Sequence, residues 1–425
     1  MKTRPFVHGC LLLLVGCSRD VAGGKASADP HSRLAAPNPR FFQRAEPALA
    51  NRSGFVAIGA GDEHACALAG DGRVACWGGN ILGQAIPRSP ETGKDPGRER
   101  LRPTWVPEVE GAIDLSVSGA HTCVVTGRGE LLCWGGNVTG SMGGDASLST
   151  FGVSRRFGRD FTHVHARNGG TCGLTKGAAP RCVGGAENGR MLRDDVPSTS
   201  HGGPYYSELR PMVGLSPPMQ LALGGRHACA LSDDGEVSCW GLNNLGQLGL
   251  ARASAETPTR VDGLSQIVAI STAYFTTCAL DEAGAVFCWG EGTEGQLAVD
   301  PRELHGSMDK RTRAKAERVL GIGPAKEISV GGLSVCIREA DDGVSCWGSR
   351  RRDTGWGAHP WMPGRVDGLT DAVAISLSTT ISDAFVCALT KDGRVRCAGA
   401  NDAGQLGDGG ESRGGVVEVD VSEVR

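Results

Sequence analysis

The chain predicts an all-β fold assembled from seven copies of one unit, on three features of the sequence. Fourteen of its sixteen cysteines fall into seven pairs, each with nine residues between the partners. Turn-forming residues sit midway between most of the partners. A short alternating apolar segment precedes nearly every pair. The pairs are Cys66 and Cys76, Cys123 and Cys133, Cys172 and Cys182, Cys229 and Cys239, Cys278 and Cys288, Cys336 and Cys346, and Cys387 and Cys397. First cysteines recur every 49–58 residues, a period that suits propeller blades or a β-solenoid. Glycine supplies 65 of 425 residues, roughly twice ordinary usage, as a turn-rich all-β chain requires.

The unit itself reads as a hairpin. In Cys66-Ala-Leu-Ala-Gly-Asp-Gly-Arg-Val-Ala-Cys76 a Gly-Asp-Gly centre divides two short alternating stretches. With Asp71 at the midpoint, residues whose numbers sum to 142 face each other, so Cys66 lies directly opposite Cys76. A non-hydrogen-bonded antiparallel pair brings Cα atoms to about 4.5 Å, within disulfide reach. Asp233-Asp234-Gly235, Ala283-Gly284, Asp341-Asp342-Gly343 and Lys391-Asp392-Gly393 supply comparable turns. Zinc is the competing reading, because His64, His121 and His227 stand two residues before the first cysteine, giving His-x-Cys-x9-Cys. The other four units carry Gly170, Thr276, Ser334 and Phe385 there. An even cysteine count in an exported chain favours disulfides.

Strands before the pairs include Phe55-Val56-Ala57-Ile58, Ile113-Asp114-Leu115-Ser116 and Ile267-Val268-Ala269-Ile270. After the second cysteine comes Trp-Gly, then often Asn and Gly-Gln-Leu-Gly. The fullest copy runs from His227 through Cys239-Trp240-Gly241-Leu242-Asn243-Asn244-Leu245-Gly246-Gln247-Leu248 to Gly249. On these residues the chain resembles the regulator of chromosome condensation repeat family, whose members fold as seven-bladed β-propellers. The resemblance runs from Phe55 to the C-terminus and weakens in two copies, where Val183 and Ala398 replace the tryptophan. It implies one closed domain over 55–425. Trp77, Trp134, Trp240, Trp289 and Trp347 are then expected between blades, since a large ring fills the gap between splayed sheets. A ring of carbohydrate-stacking tryptophans is the alternative. The C-terminal run Val416–Val421 alternates like a strand and is expected to complete a blade begun by residues 55–58, removing an exposed edge.

The N-terminus carries Lys2 and Arg4, then a short apolar run ending Leu14-Val15-Gly16-Cys17. This describes a secretory signal, too short for a membrane span. Its last four residues resemble a bacterial lipobox, which implies cleavage after residue 16 and a diacylglycerol on the Cys17 thiol. Cys10 is a poorer acceptor, because His8 breaks the pattern before it. Ser18 follows, which by the enteric sorting rule favours the outer membrane; secretion without lipid is the alternative. Residues 17–54, rich in Ala, Pro, Ser and charge, read as a flexible tether.

The formal net charge of −3 provides no positive field, so no nucleic-acid partner is expected. No Gly-x-Ser-x-Gly elbow or His-Glu-x-x-His stands out, and no Gly-rich phosphate loop follows a strand and opens a helix, so no cofactor or resident metal is expected and a non-catalytic role is preferred. Function should lie where the copies differ. The intervals after copies 1, 3 and 5 are longer, over 84–103, 190–217 and 300–318, and the last holds a basic run from Lys310 to Lys315. The least repeat-like stretch follows copy 6 and contains Arg350, Arg351, Arg352, Trp356 and Trp361. Arginine and tryptophan are enriched at interface hot spots and loops commonly carry binding residues, so these five are the candidate partner-binding residues. The chain is expected to be a monomeric, lipid-anchored binding scaffold facing a protein or glycan. The alternatives are an inhibitor of a secreted enzyme, a use to which bacterial β-lactamase inhibitor proteins put this propeller, and an envelope hydrolase or lyase. Nuclear GTPase exchange, the family's eponymous activity, does not suit an exported chain.

Overall fold

The computed structural model describes residues 54–425, apart from 89–96, 108, 138, 145, 147–152, 168, 186–197, 201–202, 305–310, 350–358, 383, 411–414, 420 and 422–425. The chain divides into units 1–38 and 39–425. The signal, Cys10, Cys17 and the tether to residue 53 lie outside the described residues.

The described strands form six sheets of four strands and one of five, the blades of a seven-bladed propeller. Blade 1 shows the plan. Its inner strand β1 (Phe55–Ala60) pairs with β2 (His64–Ala69), β2 with β3 (Val74–Gly79), and β3 with the outer β4 (Glu99–Trp105), all antiparallel. Blade 3 adds a fifth, outermost strand, Ser198–Ser200, beyond Gly203–Pro211.

The register is the one the cysteine spacing requires. Cys66 opposes Cys76, Leu68 opposes Val74 and Ala65 opposes Trp77. The Ala69 N–H donates to the Arg73 carbonyl and the Gly72 N–H to the Ala69 carbonyl, so a three-residue loop closes the hairpin with Gly72 at φ +86°. That left-handed conformation is why glycine stands there. Five other blades repeat both bonds, and in blade 6 the left-handed residue is Asp342 at φ +65°.

All seven cysteine pairs are disulfides, one per blade. Cys66 is bonded to Cys76, Cys123 to Cys133, Cys172 to Cys182 and Cys229 to Cys239. Cys278 is bonded to Cys288, Cys336 to Cys346 and Cys387 to Cys397. Their Cα atoms stand 4.1–4.2 Å apart, slightly closer than the 4.5 Å or so expected of a non-hydrogen-bonded pair. With their sulfur committed this way, these fourteen cysteines offer zinc no thiolate. Among the described residues no group of three potential ligands could hold a metal.

Between blades, Trp77, Trp134, Trp240, Trp289 and Trp347 are at most 1% exposed. None offers a ring face to a sugar. Each of four indoles donates its Nε1–H to a carbonyl in the turn of the preceding blade: Trp77 to Gln405, Trp134 to Ala85, Trp289 to Gln247 and Trp347 to Gln296, at 2.9–3.2 Å. The turn is built to present that carbonyl. The Asn243 Oδ1 accepts the Leu248 N–H and the Gln247 Oε1 accepts the Leu245 N–H; Asn80 with Gln84 and Asn401 with Gln405 repeat the arrangement. The Asn-x-x-Gly-Gln-Leu-Gly motif is therefore a cap for the next blade's tryptophan.

The buried histidines join the same network. His64, His121 and His227 bond through Nε2 to Thr122, Thr171 and Thr277 of the following blade, each at 2.9 Å. The Thr122 and Thr277 hydroxyls donate to the Gln84 and Gln247 carbonyls, so the Nε2–H of His64 and of His227 must be the donor to threonine. Burial, with His121 nearby, pushes the His64 pKa down to about 3, and burial pushes His121 down to about 4. Both are neutral interior groups.

Closure differs from the expectation. The C-terminal strand Val416–Glu418 pairs with Val395–Gly399 and is the outer strand of blade 7; it does not complete the blade that β1 begins. The physical reason is visible in the register. Val417 opposes Cys397 as Thr259 opposes Cys239 and Gly364 opposes Cys346, so every hairpin is followed by its own outer strand and no blade is left short. The ring closes by packing. Phe55, Ile58 and Trp77 share a core with Phe385, Val395, Leu406 and Val419. The Phe55 N–H donates to the Gly393 carbonyl at 3.0 Å, as Ala112 does to Gly72 and Ala325 to Gly284 at continuous junctions. The Ala60 N–H donates to Ser376 Oγ just as Ala166 does to Ser116, Val330 to Ser271 and Leu377 to Ser329. The closing junction uses the bonds of the others.

Candidate binding face

An up-and-down sheet sends all its inner-to-second and third-to-outer connections to one face of the ring. Of the long intervals anticipated from the sequence, residues 84–88 and 300–304 belong to such connections, whereas 99–105, 203–211 and 312–318 are outer strands rather than loop. The basic run is partly such a strand. Arg313 pairs with Glu317 at 3.1 Å and is largely buried.

Of the five candidate partner-binding residues, Arg350, Arg351, Arg352 and Trp356 lie outside the described residues. Trp361 is described. It is half-buried, and the exposed His359 ring stacks on it at 5.1 Å and 9°. The Arg302 guanidinium of blade 5 stands 5.9 Å from its ring centre. Arg302 is itself aimed by the Asp300 carboxylate, which accepts from Arg302 Nε at 2.9 and 3.0 Å. Hydrogen bonds from the Arg302 side chain and backbone hold the Asp300 carboxyl at about 2. Gly295 lets the Trp361 backbone approach, since a Cβ there would come within 2.8 Å of the Trp361 nitrogen. The result is an aromatic and cationic patch across blades 5 and 6. Sequence reading found Trp361 but not Arg302, which stands about sixty residues earlier in the chain.

The inner connections form the mouth of the central channel. The residues there are mostly small: Gly61, Ser118-Gly119-Ala120, Gly224-Gly225, Gly331-Gly332. Asp62 of blade 1, Arg167 of blade 3 and Tyr274 of blade 5 break that pattern, and blade 7 lengthens it over 379–384. The Thr379 hydroxyl donates to Asp62. Burial raises the Asp62 carboxyl against the opposing effects of that bond and Arg167. Burial lowers the Arg167 guanidinium to about 10, with Asp62 and Tyr274 opposing. Burial also raises the Tyr274 phenol, aided by Asp62. These groups converge only because the ring closes. The signal that would have revealed them is comparison of the three residues before each first-cysteine strand.

A second charged cluster is structural. Arg338 bonds Glu327 at 3.0 Å and Asp342 at 2.9 Å, and Lys326 and Lys391 reach Asp342 at 2.6 and 2.7 Å. Although burial raises the Asp342 carboxyl, the two lysines outweigh it and hold it at about 2.

The sequence model of the regulator of chromosome condensation (RCC1) repeat matches residues 55–84, 220–247, 267–296 and 378–405, and a second model of that repeat matches 234–280. The ultraviolet-B receptor UVR8 of Arabidopsis thaliana is 30% identical over 198 residues, 45% of this chain and 42% of the receptor. The human RCC1 domain-containing protein 1 is 25% identical over 232 residues, 53% of this chain and 54% of that protein. The chain thus spans about half the length of these curated relatives. Among solved structures, human WBSCR16 superposes with a TM-score of 0.68 at 19% identity, over 82% of this chain and 95% of that one. Prp20p of Saccharomyces cerevisiae, solved in a study of its binding to Gsp1p and histones, gives 0.64 at 16% identity over 90% and 91%. At such identity these two speak for the fold. With the repeat matches in blades 1, 4, 5 and 7 and seven like-built sheets, the chain carries RCC1 repeats and folds as a seven-bladed β-propeller of the RCC1 type.

Proposed function

We propose that this chain is a non-catalytic binding scaffold of the cell envelope, exported and anchored through a lipid on Cys17, with residues 17–54 as its tether. The observation that carries the binding reading is the Arg302–Trp361–His359 patch, an aromatic and cationic group held by two blades of a cross-linked frame. A rigid frame loses little entropy when it binds, so a preorganised patch turns more of its contact energy into affinity. Tryptophan and arginine are the side chains on which interface energy concentrates. The partner class is a protein or glycan at the cell surface. RCC1-type propellers are binding and regulatory proteins, among them the yeast Prp20p bound to Kap60. The Leu14-Val15-Gly16-Cys17 motif supports the anchor.

The anchor and the patch are tested separately. Growth of the host with an alkyne-bearing fatty acid should label the wild-type chain in the membrane fraction and leave Cys17→Ser unlabelled. Equal labelling, or a wild type wholly in the medium, contradicts the anchor. The full chain carrying a photo-cross-linker at His359 should capture one envelope species repeatedly, and Trp361→Ala should lose it. A capture profile indifferent to Trp361→Ala contradicts the patch. Should the captured species be a secreted enzyme whose activity falls on binding, the inhibitor reading replaces the scaffold reading.

A further inference from the structure

Inside the ring, just below the mouth, lies a cavity of about 80 Å³ lined by His165, Arg167, Gln220, Thr272, Ser329 and Ser376 among others. It is independent of the rim patch. One water occupies roughly 10–15 Å³ on this measure, so the space suits a solute of about half a dozen heavy atoms. Two buried polar groups that border it lack partners. The Arg167 guanidinium reaches across from blade 3 to donate from Nη2 to the Val330 carbonyl of blade 6, yet its Nε has no acceptor. The Thr272 hydroxyl of blade 5, on a side chain 2% exposed, has none either. Both groups meet at Val330, whose carbonyl accepts from Arg167 and whose N–H donates to Ser271 Oγ, beside Thr272. Thr272 opposes Thr277, Val330 opposes Val335 and Ala166 opposes Thr171, so Thr272 and Val330 share a layer and Arg167 is one residue nearer the mouth. Buried unsatisfied donors are rare, and each calls for a partner.

Both unpartnered groups can donate, and one is cationic, which selects an oxyanion; guanidinium and carboxylate match in geometry. Beyond Arg167 toward the mouth sits Asp62, whose carboxylate accepts from Thr379 and, among the described residues, touches no cation. Asp62 and Arg167 feel each other's charge but form no ion pair within 4.0 Å. Among the described residues, therefore, neither charge has a contacting counter-ion. An α-amino acid has the complementary pattern, a carboxylate and an ammonium separated by one carbon, and the smaller ones have five to seven heavy atoms.

We propose that the channel binds a small α-amino acid, its carboxylate on the Arg167 Nε–H and the Thr272 hydroxyl and its ammonium on the Asp62 carboxylate. The test is equilibrium binding to the full, oxidised chain in detergent of glycine, L-alanine and L-serine, with acetate and methylamine as half-ligands. At least one amino acid should bind with Kd below about 1 mM, and each half-ligand should bind at least about tenfold more weakly. Arg167→Gln and Asp62→Asn should each weaken the amino acid by tenfold or more, as expected for a bond to a charged group. Thr272→Val, which keeps side-chain shape, should weaken it about three- to tenfold without lowering the melting temperature. Acetate or sulfate binding as tightly as glycine would make the site a plain anion site and overturn the proposal. So would wild-type affinity weaker than about 10 mM, or equal affinity in Thr272→Val and Asp62→Asn. The half-ligand comparison needs no variant, so a variant that fails to fold does not protect the proposal.

Discussion

Four junctions between blades carry a tryptophan capped by the preceding turn, and two carry neither the tryptophan nor the glutamine. Where Trp289 meets the Gln247 carbonyl, both halves of the motif are present. At the junction of blades 2 and 3 the tryptophan is Val183 and the glutamine is Ser141. Ser141 turns its hydroxyl back to the Gly136 carbonyl, and Tyr205 from the fourth strand of blade 3 packs its ring on Gly140 of the blade 2 turn, its hydroxyl accepting the Ala146 N–H at 3.3 Å. At the junction of blades 6 and 7 the tryptophan is Ala398, and the chain after Trp347-Gly348 has no Gly-Gln-Leu-Gly. At these two junctions tryptophan and glutamine are both missing, whereas Trp240 stays fully buried between blades 3 and 4 although Arg190 stands where the preceding turn would carry glutamine. The stretch freed from capping after blade 6 is the one that supplies the Trp361 patch.

The largest expected effect tests whether the closing junction belongs with the capped ones. Trp77→Ala removes a fully buried ring between blades 1 and 7 and should cost about 3–5 kcal/mol, matching Trp289→Ala at a continuous junction, as read by denaturant unfolding under oxidising conditions. A much smaller loss for Trp77→Ala would mean that closure is weaker than packing indicates. Next, replacing Cys229 and Cys239 by alanine should cost about 2–3 kcal/mol by loosening a short loop in the unfolded chain. The same change at Cys172 and Cys182 should cost as much, since the irregular blade 3 keeps the same cross-link. A clear difference would show that the cross-link depends on the cap.

Acid sharpens the comparison through the histidines, which blades 1, 2 and 4 carry and blade 3 replaces with Gly170. The folded pKa values of His64 and His121, about 3 and about 4, lie below the unfolded value near 6.5. The unfolded chain therefore takes up protons that the native state refuses. Their contribution is complete above about pH 6.5 and is lost as pH falls toward 4, at up to about 1.4 kcal/mol per pH unit per histidine. Melting temperature against pH should flatten in that window for the double variant His64→Gln, His121→Gln; an unchanged slope would place the titration elsewhere. Smallest of all, Gln247→Ala should cost only about 1 kcal/mol, because the indole bonds the backbone carbonyl and the side chain merely holds the turn. A loss as large as that of Trp289→Ala would assign the cap to the side chain.

Much of the frame was legible because repetition reports on local geometry. Nine residues between cysteines, with a turn at the centre, define a register, and that register appears in all seven hairpins. It holds for Cys123 opposite Cys133 and Cys278 opposite Cys288 as it does for Cys172 opposite Cys182, where the rest of the repeat has decayed. The placement of Trp240 and its counterparts between sheets followed from their recurrence. Closure was misjudged because alternation in Val416–Val421 identifies a strand but not its neighbour. Its position after the hairpin of Cys387 and Cys397, equivalent to Thr259 after that of Cys229 and Cys239, was the better guide. The candidate binding face was half legible. Trp361 announced itself by departing from the repeat, whereas Arg302 joins it only through the contact of two blades. Asp62, Arg167 and Tyr274 escaped notice because each is an ordinary loop residue until the ring brings blades 1, 3 and 5 around one channel.

The central claim is that repeated residues hold the frame and unrepeated residues on one face do the binding. The most direct measurement pairs melting temperature with cross-linking yield from His359 for the Arg302→Ala, Trp361→Ala double variant and for Trp77→Ala. The account predicts that the double variant melts within a few degrees of wild type, a ΔΔG of about 1 kcal/mol or less, and loses its captured partner. Trp77→Ala should melt far lower yet retain capture at temperatures where it is folded. A double variant that melts as low as Trp77→Ala and still captures the partner would contradict the claim, making the patch part of the frame.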